Sequence, residues 1–142
     1  MAVYITNSKS ETVALGKRLA HTLHSGSLVL FTGGLGAGKT ALCEGIAAGL
    51  GCTDPVSSPT FAIVNAYRGP QVFAHFDLYR ISTLEDLQAA GFFDYLDGGA
   101  VVAAEWSENV AALLADEPCV RVHMETLSDE ARRITIENGG AL

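Results

Sequence analysis

The run Gly33-Gly34-Leu35-Gly36-Ala37-Gly38-Lys39-Thr40 fits the pattern G-x-x-x-x-G-K-[ST] and constrains the fold more than any other segment. The apolar stretch Leu28-Val29-Leu30-Phe31 feeds into it, and a helix-like run from Ala41 to Leu50 follows. A strand must therefore deliver the chain to a tight glycine loop, and a helix must carry it away. Glycines let successive backbone N–H groups curl inward around a phosphate, with no Cβ in the way. The first helical turn adds unpaired N–H groups and the positive end of its dipole. In such a loop Lys39 reaches the β- and γ-phosphates, and Thr40 offers its hydroxyl to Mg²⁺. The segment predicts a nucleoside triphosphate site. The plain alternative, a glycine-rich turn that binds nothing, is disfavoured by the strand before it and the helix after it. Lys39-Thr40 selects this mononucleotide loop over a dinucleotide fingerprint.

With 142 residues, the chain has enough material for one compact domain with a single core. No apolar run approaches the length of a membrane span. Residues Met1 to Thr12 carry neither a basic flank nor a hydrophobic signal core, so a cytoplasmic protein is expected. Cys43, Cys52 and Cys119 show no C-x-x-C spacing and are expected as reduced thiols. A net charge of −7 with only nine Lys and Arg argues against autonomous nucleic-acid binding, which needs a basic face. Any contact with RNA is expected through partners.

Along the chain, Val3 to Thr6 reads as a short strand. Ser8 with Glu11 gives a capping box for a helix running to about His24, with Leu15, Leu19 and Leu23 on one face. Leu28 to Thr32 reads as a strand buried on both faces, and Gly51 as the residue that stops the following helix. Thr53 to Thr60 is a loop rich in Pro and Ser. Ala62 to Tyr67 and Val72 to Asp77 are expected to pair as a hairpin across Arg68-Gly69-Pro70. Ser82 with Glu85 is a second capping box, opening a helix that stops at Gly91. Ala100 to Ala104 reads as a buried strand ending in Glu105-Trp106, and a short helix is expected around Asn109 to Ala115. Val120 to Glu125 and Arg133 to Glu137 form a closing hairpin around Ser128-Asp129. The pattern predicts an α/β fold in one domain, residues 1–142, with a mixed sheet whose central strands are parallel.

A phosphate loop alone does not complete a metal site. Phosphoryl transfer also needs a carboxylate beside Mg²⁺ and a group that places the attacking oxygen. Glu105, after five small or apolar residues, is assigned to the Mg²⁺ shell. Asp77, after Val72-Phe-Ala-His-Phe76, is assigned to the γ-phosphate or the attacking water. For each, a solvent-facing strand end is the alternative. Ser57-Ser58-Pro59-Thr60 stands where many such hydrolases carry a segment that senses the γ-phosphate, with Thr60 or Ser58 offering a hydroxyl; a polar loop capped by Pro59 is the simpler reading. His75, in an apolar strand, reads as a satisfied core histidine or as one standing behind a site residue, rather than as a catalytic base. His21, His24 and His123 lack partners at metal-ligand spacing. Trp106 either packs beside a nucleotide or fills the edge of the core.

In the order Gly33-x-Leu-Gly-Ala-Gly-Lys-Thr40, Ser58-Pro-Thr-Phe61, His75-Phe-Asp-Leu-Tyr-Arg80 and Glu105-Trp106, the chain closely resembles the TsaE (YjeE) family over nearly its whole length. Members are small bacterial ATPases with a P-loop NTPase domain, required for making threonylcarbamoyladenosine on tRNA. The resemblance implies that Gly36, Ala37, Gly38, Lys39, Thr40 and Ala41 bind ATP, and that Thr40 and Glu105 hold Mg²⁺. It implies that Asp77 is needed for turnover and that Ser58 and Thr60 belong to a switch-like loop, which leaves Lys39, Asp77 and Thr60 as the catalytic candidates. Thr12 matches a position near the adenine, with Arg132 close by. Gly34 departs from the polar or acidic residue that many relatives carry. The implied partners are TsaD and TsaB, with tRNA reached only through that complex and no role for a membrane.

Two other classes stay open. A small-molecule kinase with the same loop would usually bring several arginines in a lid; the six here (Arg18, Arg68, Arg80, Arg121, Arg132 and Arg133) do not cluster in one. A nucleotide-gated binding module would differ only in making turnover incidental. No N-K-x-D guanine-reading motif is present. With no arginine-rich lid, the isolated chain is expected to hydrolyse ATP slowly and its partners to accelerate it.

Overall fold

A computed structural model describes residues 1–33, 38–54, 56, 64–78, 81–105, 112–114, 117–140 and 142. Seven strands form one sheet: β1 (Ala2–Thr6), β2 (Leu28–Gly33), β3 (Val64–Tyr67), β4 (Phe73–Asp77), β5 (Val101–Glu105), β6 (Val120–Thr126) and β7 (Arg132–Glu137). Their order across the sheet is β1-β7-β6-β2-β5-β4-β3. The central strand β2 runs parallel to β5 and β6, and β4 runs parallel to β5. The remaining pairs, β1–β7, β6–β7 and β3–β4, are antiparallel. The expected mixed sheet and both hairpins are present; the first part of the Ala62–Tyr67 strand and most of the Asn109–Ala115 helix lie outside the described residues.

Helices α1 (Lys9–Ala20) and α2 (Lys39–Gly49) pack on one face. Leu15, Leu19, Leu42 and Ile46 bury there against Val29, Phe31, Phe73, Val101, Val122 and Ile134. On the other face, Leu87 and Phe92 from α3 (Leu84–Ala89) and α4 (Phe92–Asp97) meet Leu28, Leu30, Phe76 and Val102. Successive β2 residues thus enter opposite cores, which is why Leu28 to Phe31 are apolar at consecutive rather than alternate positions. β6 and β7 do alternate, burying Val122, Met124, Ile134 and Ile136 while Arg121, His123, Glu125 and Arg133 stay exposed. With Val3 at 54% and Ile5 at 50% exposure on β1, this third of the sheet is open on its outer face among the described residues.

Local chemistry sets the helix ends. Ser8 caps α1, its hydroxyl accepting the Glu11 N–H at 3.1 Å. The helix stops at Ala20, short of the expected His24, because the Thr22 hydroxyl donates to the Leu19 carbonyl at 2.8 Å and the chain tightens into i→i+3 bonds. At α3 the cap is Thr83, accepting the Asp86 N–H at 3.1 Å, and not Ser82 with Glu85. Helix α4, absent from the sequence expectation, is a run of aromatic residues bracketed by glycines. Phe92 and Tyr95 meet the edge of Phe76, at 5.3 Å and 5.6 Å between ring centroids.

Two glycine features position the start of α2. Gly38, its N-cap, has φ +93, a left-handed conformation that a residue with a Cβ rarely adopts. Further along, α1 and α2 touch backbone to backbone: a Cβ on Gly45 would collide with the Val13 carbonyl oxygen and lie 2.8 Å from the Gly16 Cα. Helix α2 is therefore clamped between α1 and the sheet. Among the described residues, no helix is long and apolar enough to cross a membrane.

Candidate functional site

The parallel strands β2, β4 and β5 end on the same edge of the sheet, the side where ligands bind in open α/β sheets. Strand β2 delivers the chain there to the glycine loop, and α2 leaves with Lys39 as its first residue and Thr40 as its second. Glu105 is the last residue of β5, within the strand rather than after it. Its register partners are Phe31 on one side and Asp77, the last residue of β4, on the other. Val101 and Ala103 belong to the core under α1 and α2, so strand alternation puts Glu105 on that face; Phe73 does the same for His75 and Asp77. Two carboxylates and an imidazole thus converge on the N-terminal end of α2.

Their electrostatics agree with that placement. Burial pushes the Glu105 carboxyl above the usual carboxylate range; Lys39 pulls it back down, and Asp77 pushes it up. Burial drives His75 down to about 4, opposed by Asp77 and reinforced by Lys39, so the imidazole is neutral at pH 7. Beneath them on α2, burial holds the Cys43 thiol far above its usual range, with Glu105 adding to the effect, which leaves it protonated and inert. Cys43, Cys52 and Cys119 are all free.

Of the two sequence readings of His75, the structure departs from the satisfied core histidine. His75 is 0% exposed, and neither ring nitrogen has a hydrogen-bond partner. Its Nε2 stands 3.7 Å from Glu105 Oε1, beyond hydrogen-bonding distance.

The donor set suits a hard cation. Glu105 and the Thr40 hydroxyl are oxygen donors. Among the described residues, no group of three or more His, Cys, Asp and Glu gathers into an all-protein metal cage. Mg²⁺ characteristically takes one or two protein oxygens and completes its shell with phosphate and water. The Glu105 carboxyl is raised chiefly by burial, with Asp77 adding to the effect, and an added positive charge would favour its ionised form.

Beside the start of α2 lies a cleft of ≈ 260 Å³ lined by Lys9, Thr12, Gly38, Ala41, Asp129, Glu130 and Arg132. It brings together Thr12 and Arg132, residues 120 positions apart that the sequence tied to one ligand only through resemblance. Thr12 is buried and its hydroxyl meets that of Thr6 at 2.8 Å. Arg132 donates to the carbonyls of Ser128 at 2.8 Å, Ala131 at 2.9 Å and Asp129 at 3.2 Å, which pins its guanidinium on the β6–β7 turn. Lys9, Asp129 and Glu130 were not singled out from the sequence, since nothing in their spacing joins α1 to that turn. Gly36, Ala37 and Thr60, with Ser58, Arg80 and Trp106, lie outside the described residues.

Fold and site define an α/β protein with a mixed sheet flanked by helices, its strand–glycine-loop–helix junction facing a carboxylate pair at the ends of the parallel strands. The family model described as "Threonylcarbamoyl adenosine biosynthesis protein TsaE" matches residues 6–134. A "tRNA threonylcarbamoyladenosine biosynthesis protein TsaE" of Treponema pallidum is 36% identical over 132 residues, 93% of this chain and 97% of that protein. A protein of the same name in Rickettsia prowazekii is 35% identical over 136 residues, 94% of this chain and 93% of that one. Among solved structures, Bacillus subtilis YdiB superposes with a TM-score of 0.73 at 30% identity, covering 95% of this chain and 83% of its own. The chain belongs to the TsaE family.

Proposed function

We propose that this protein binds Mg·ATP at the α2 junction and hydrolyses it in support of threonylcarbamoyladenosine formation on tRNA, in the cytoplasm and together with TsaD and TsaB. The observation that carries the reading is the register pair Asp77–Glu105 facing Lys39 across the start of α2. Lys39 offsets triphosphate repulsion, with the N–H groups of the glycine loop and first helical turn donating to the phosphate oxygens. Thr40 and Glu105 would hold Mg²⁺, which when bound supplies positive charge against the charge developing on the phosphoryl oxygens. Asp77, one strand further from the loop, orients the attacking water. Thr12 and Arg132 wall the cleft that receives the nucleoside. The relatives' names support the tRNA pathway, and the net charge of −7 supports a protein that reaches tRNA through partners.

The test is steady-state phosphate release from Mg·ATP by the protein alone and with saturating TsaD–TsaB. Slow release that the pair accelerates is the expected result. Full-speed release that the pair leaves unchanged would overturn partner activation. Release only on addition of a small hydroxylated metabolite would replace the reading with that of a kinase.

A further inference from the structure

His75 is placed at a cost that its packing role does not explain. A buried polar group without a partner is destabilising, and an apolar side chain of similar shape at the same point would avoid that cost. Both ring nitrogens are in this condition, with 0% exposure and no hydrogen bond. A neutral imidazole carries one N–H donor and one acceptor lone pair. The Glu105 carboxylate stands 3.7 Å from Nε2. Of the two side chains, the imidazole is walled in, whereas Glu105 keeps 26% of its side-chain surface exposed and has room to turn. A carboxylate rotation of a few tenths of an ångström closes the gap to hydrogen-bonding distance.

We propose that His75 is a positioning residue for Glu105: its Nε2–H is a fixed donor in the strand face that orients one carboxylate oxygen and so presents the other toward the cation beside Thr40. The inference rests on the Mg·ATP reading of the site. Partners behind a metal-ligating group commonly set its orientation, and their loss costs about 10–100-fold in metal affinity. Strand geometry makes the arrangement rigid. His75 is two residues before Asp77 on β4 and diagonal to Glu105 on β5, so all three share one face whenever the β4–β5 register holds.

The experiment compares the wild type with His75→Phe, which fills the space without a donor, and His75→Gln, whose side-chain amide can reach Glu105. Calorimetric titration of ATP is run across Mg²⁺ concentrations and in EDTA, with thermal melts alongside. The Phe variant should need about 10–100-fold more Mg²⁺ for half-maximal enhancement of nucleotide binding. Its affinity in EDTA should be unchanged, and it should melt at or above the wild-type temperature. Gln should recover most of the Mg²⁺ response. A Phe variant with wild-type Mg²⁺ dependence overturns the inference, as does one that loses affinity equally with and without Mg²⁺, the mark of a packing role. Should the Phe variant fail to melt cooperatively, His75→Met carries the same comparison. A wild type whose nucleotide binding ignores Mg²⁺ fells the site reading and this inference together, whereas a responsive wild type with an equally responsive Phe variant fells only the inference.

Discussion

Lys39, Asp77 and Glu105 stand within electrostatic reach of one another, yet their substitutions are expected to separate. Lys39→Ala removes a charged donor to the phosphates and should weaken Mg·ATP binding by about 10–100-fold, from the roughly 1.5–3 kcal/mol such bonds contribute; calorimetry reads this directly. Glu105→Ala should lower Mg²⁺-dependent binding and turnover together. Asp77→Ala should leave binding close to wild type while phosphate release falls, a difference that single-turnover kinetics resolves. His75 adds a pH signature to the unliganded protein. Its folded pKa of about 4 lies below the ordinary 6.5, so above pH 6.5 the imidazole is neutral in both states. As pH falls below 6.5 the unfolded chain takes the proton first, and stability is lost progressively down to about pH 4, by on the order of 3 kcal/mol in all. Asp77, Glu105 and Lys39 are the charges that bear on this titration. Urea unfolding at successive pH values should show a shallower slope between pH 6.5 and 4 for His75→Phe than for the wild type.

At the scale of elements, the caps and the clamp are testable. Thr83→Ala should cost about 1 kcal/mol and Ser82→Ala no more than about 0.5 kcal/mol, as denaturant midpoints would reveal. Gly45→Ala forces a Cβ onto the backbone of α1, with an overpacking cost of about 1–3 kcal/mol. Because Lys39 begins the same helix, nucleotide affinity should fall with it; unchanged affinity would show that the clamp serves stability alone. These elements also mark where the sequence is legible. Ser8 with Glu11, the run Leu28-Val29-Leu30-Phe31 and the alternation in β6 and β7 each carry a local signal strong enough to survive folding. Ser82 and Thr83 offer two equivalent caps one residue apart, and only the burial of Leu87 selects between them. Helix α4 has no cap signal, and its identity comes from Phe76 across the core. In the site, Lys39, Thr40, Asp77 and Glu105 could be picked out because motif and strand end coincide. The unpaired state of His75 could not, since it depends on what β5 and α2 fail to offer it. Period-two counting back from Asp77 was the one available clue to its direction.

For the whole molecule, among the described residues the exposed outer face of β1, β7 and β6 leaves one end of the sheet unsheltered, while the six arginines form no cluster in sequence to cover the proposed nucleotide site. Turnover by the isolated chain is accordingly expected well below about 10 s⁻¹, the middle of the enzyme range. A phosphate-release assay with and without TsaD–TsaB checks this. The pairing of β1 with β7 carries a consequence for how the molecule is made. Ala2 lies opposite Ile136, so among the described residues β1 has no hydrogen-bonded strand neighbour until β7, more than a hundred residues later, is in place. The cleft shares that schedule: Lys9 and Thr12 meet Asp129, Glu130 and Arg132 only when α1 and the β6–β7 turn come together. Contacts so distant in sequence form late and slowly. A chain in which β7 has not yet paired with β1 has both carboxylates on β4 and β5 but lacks the wall of Thr12 and Arg132, so a ligand that needs this cleft reports on the closure of that pairing.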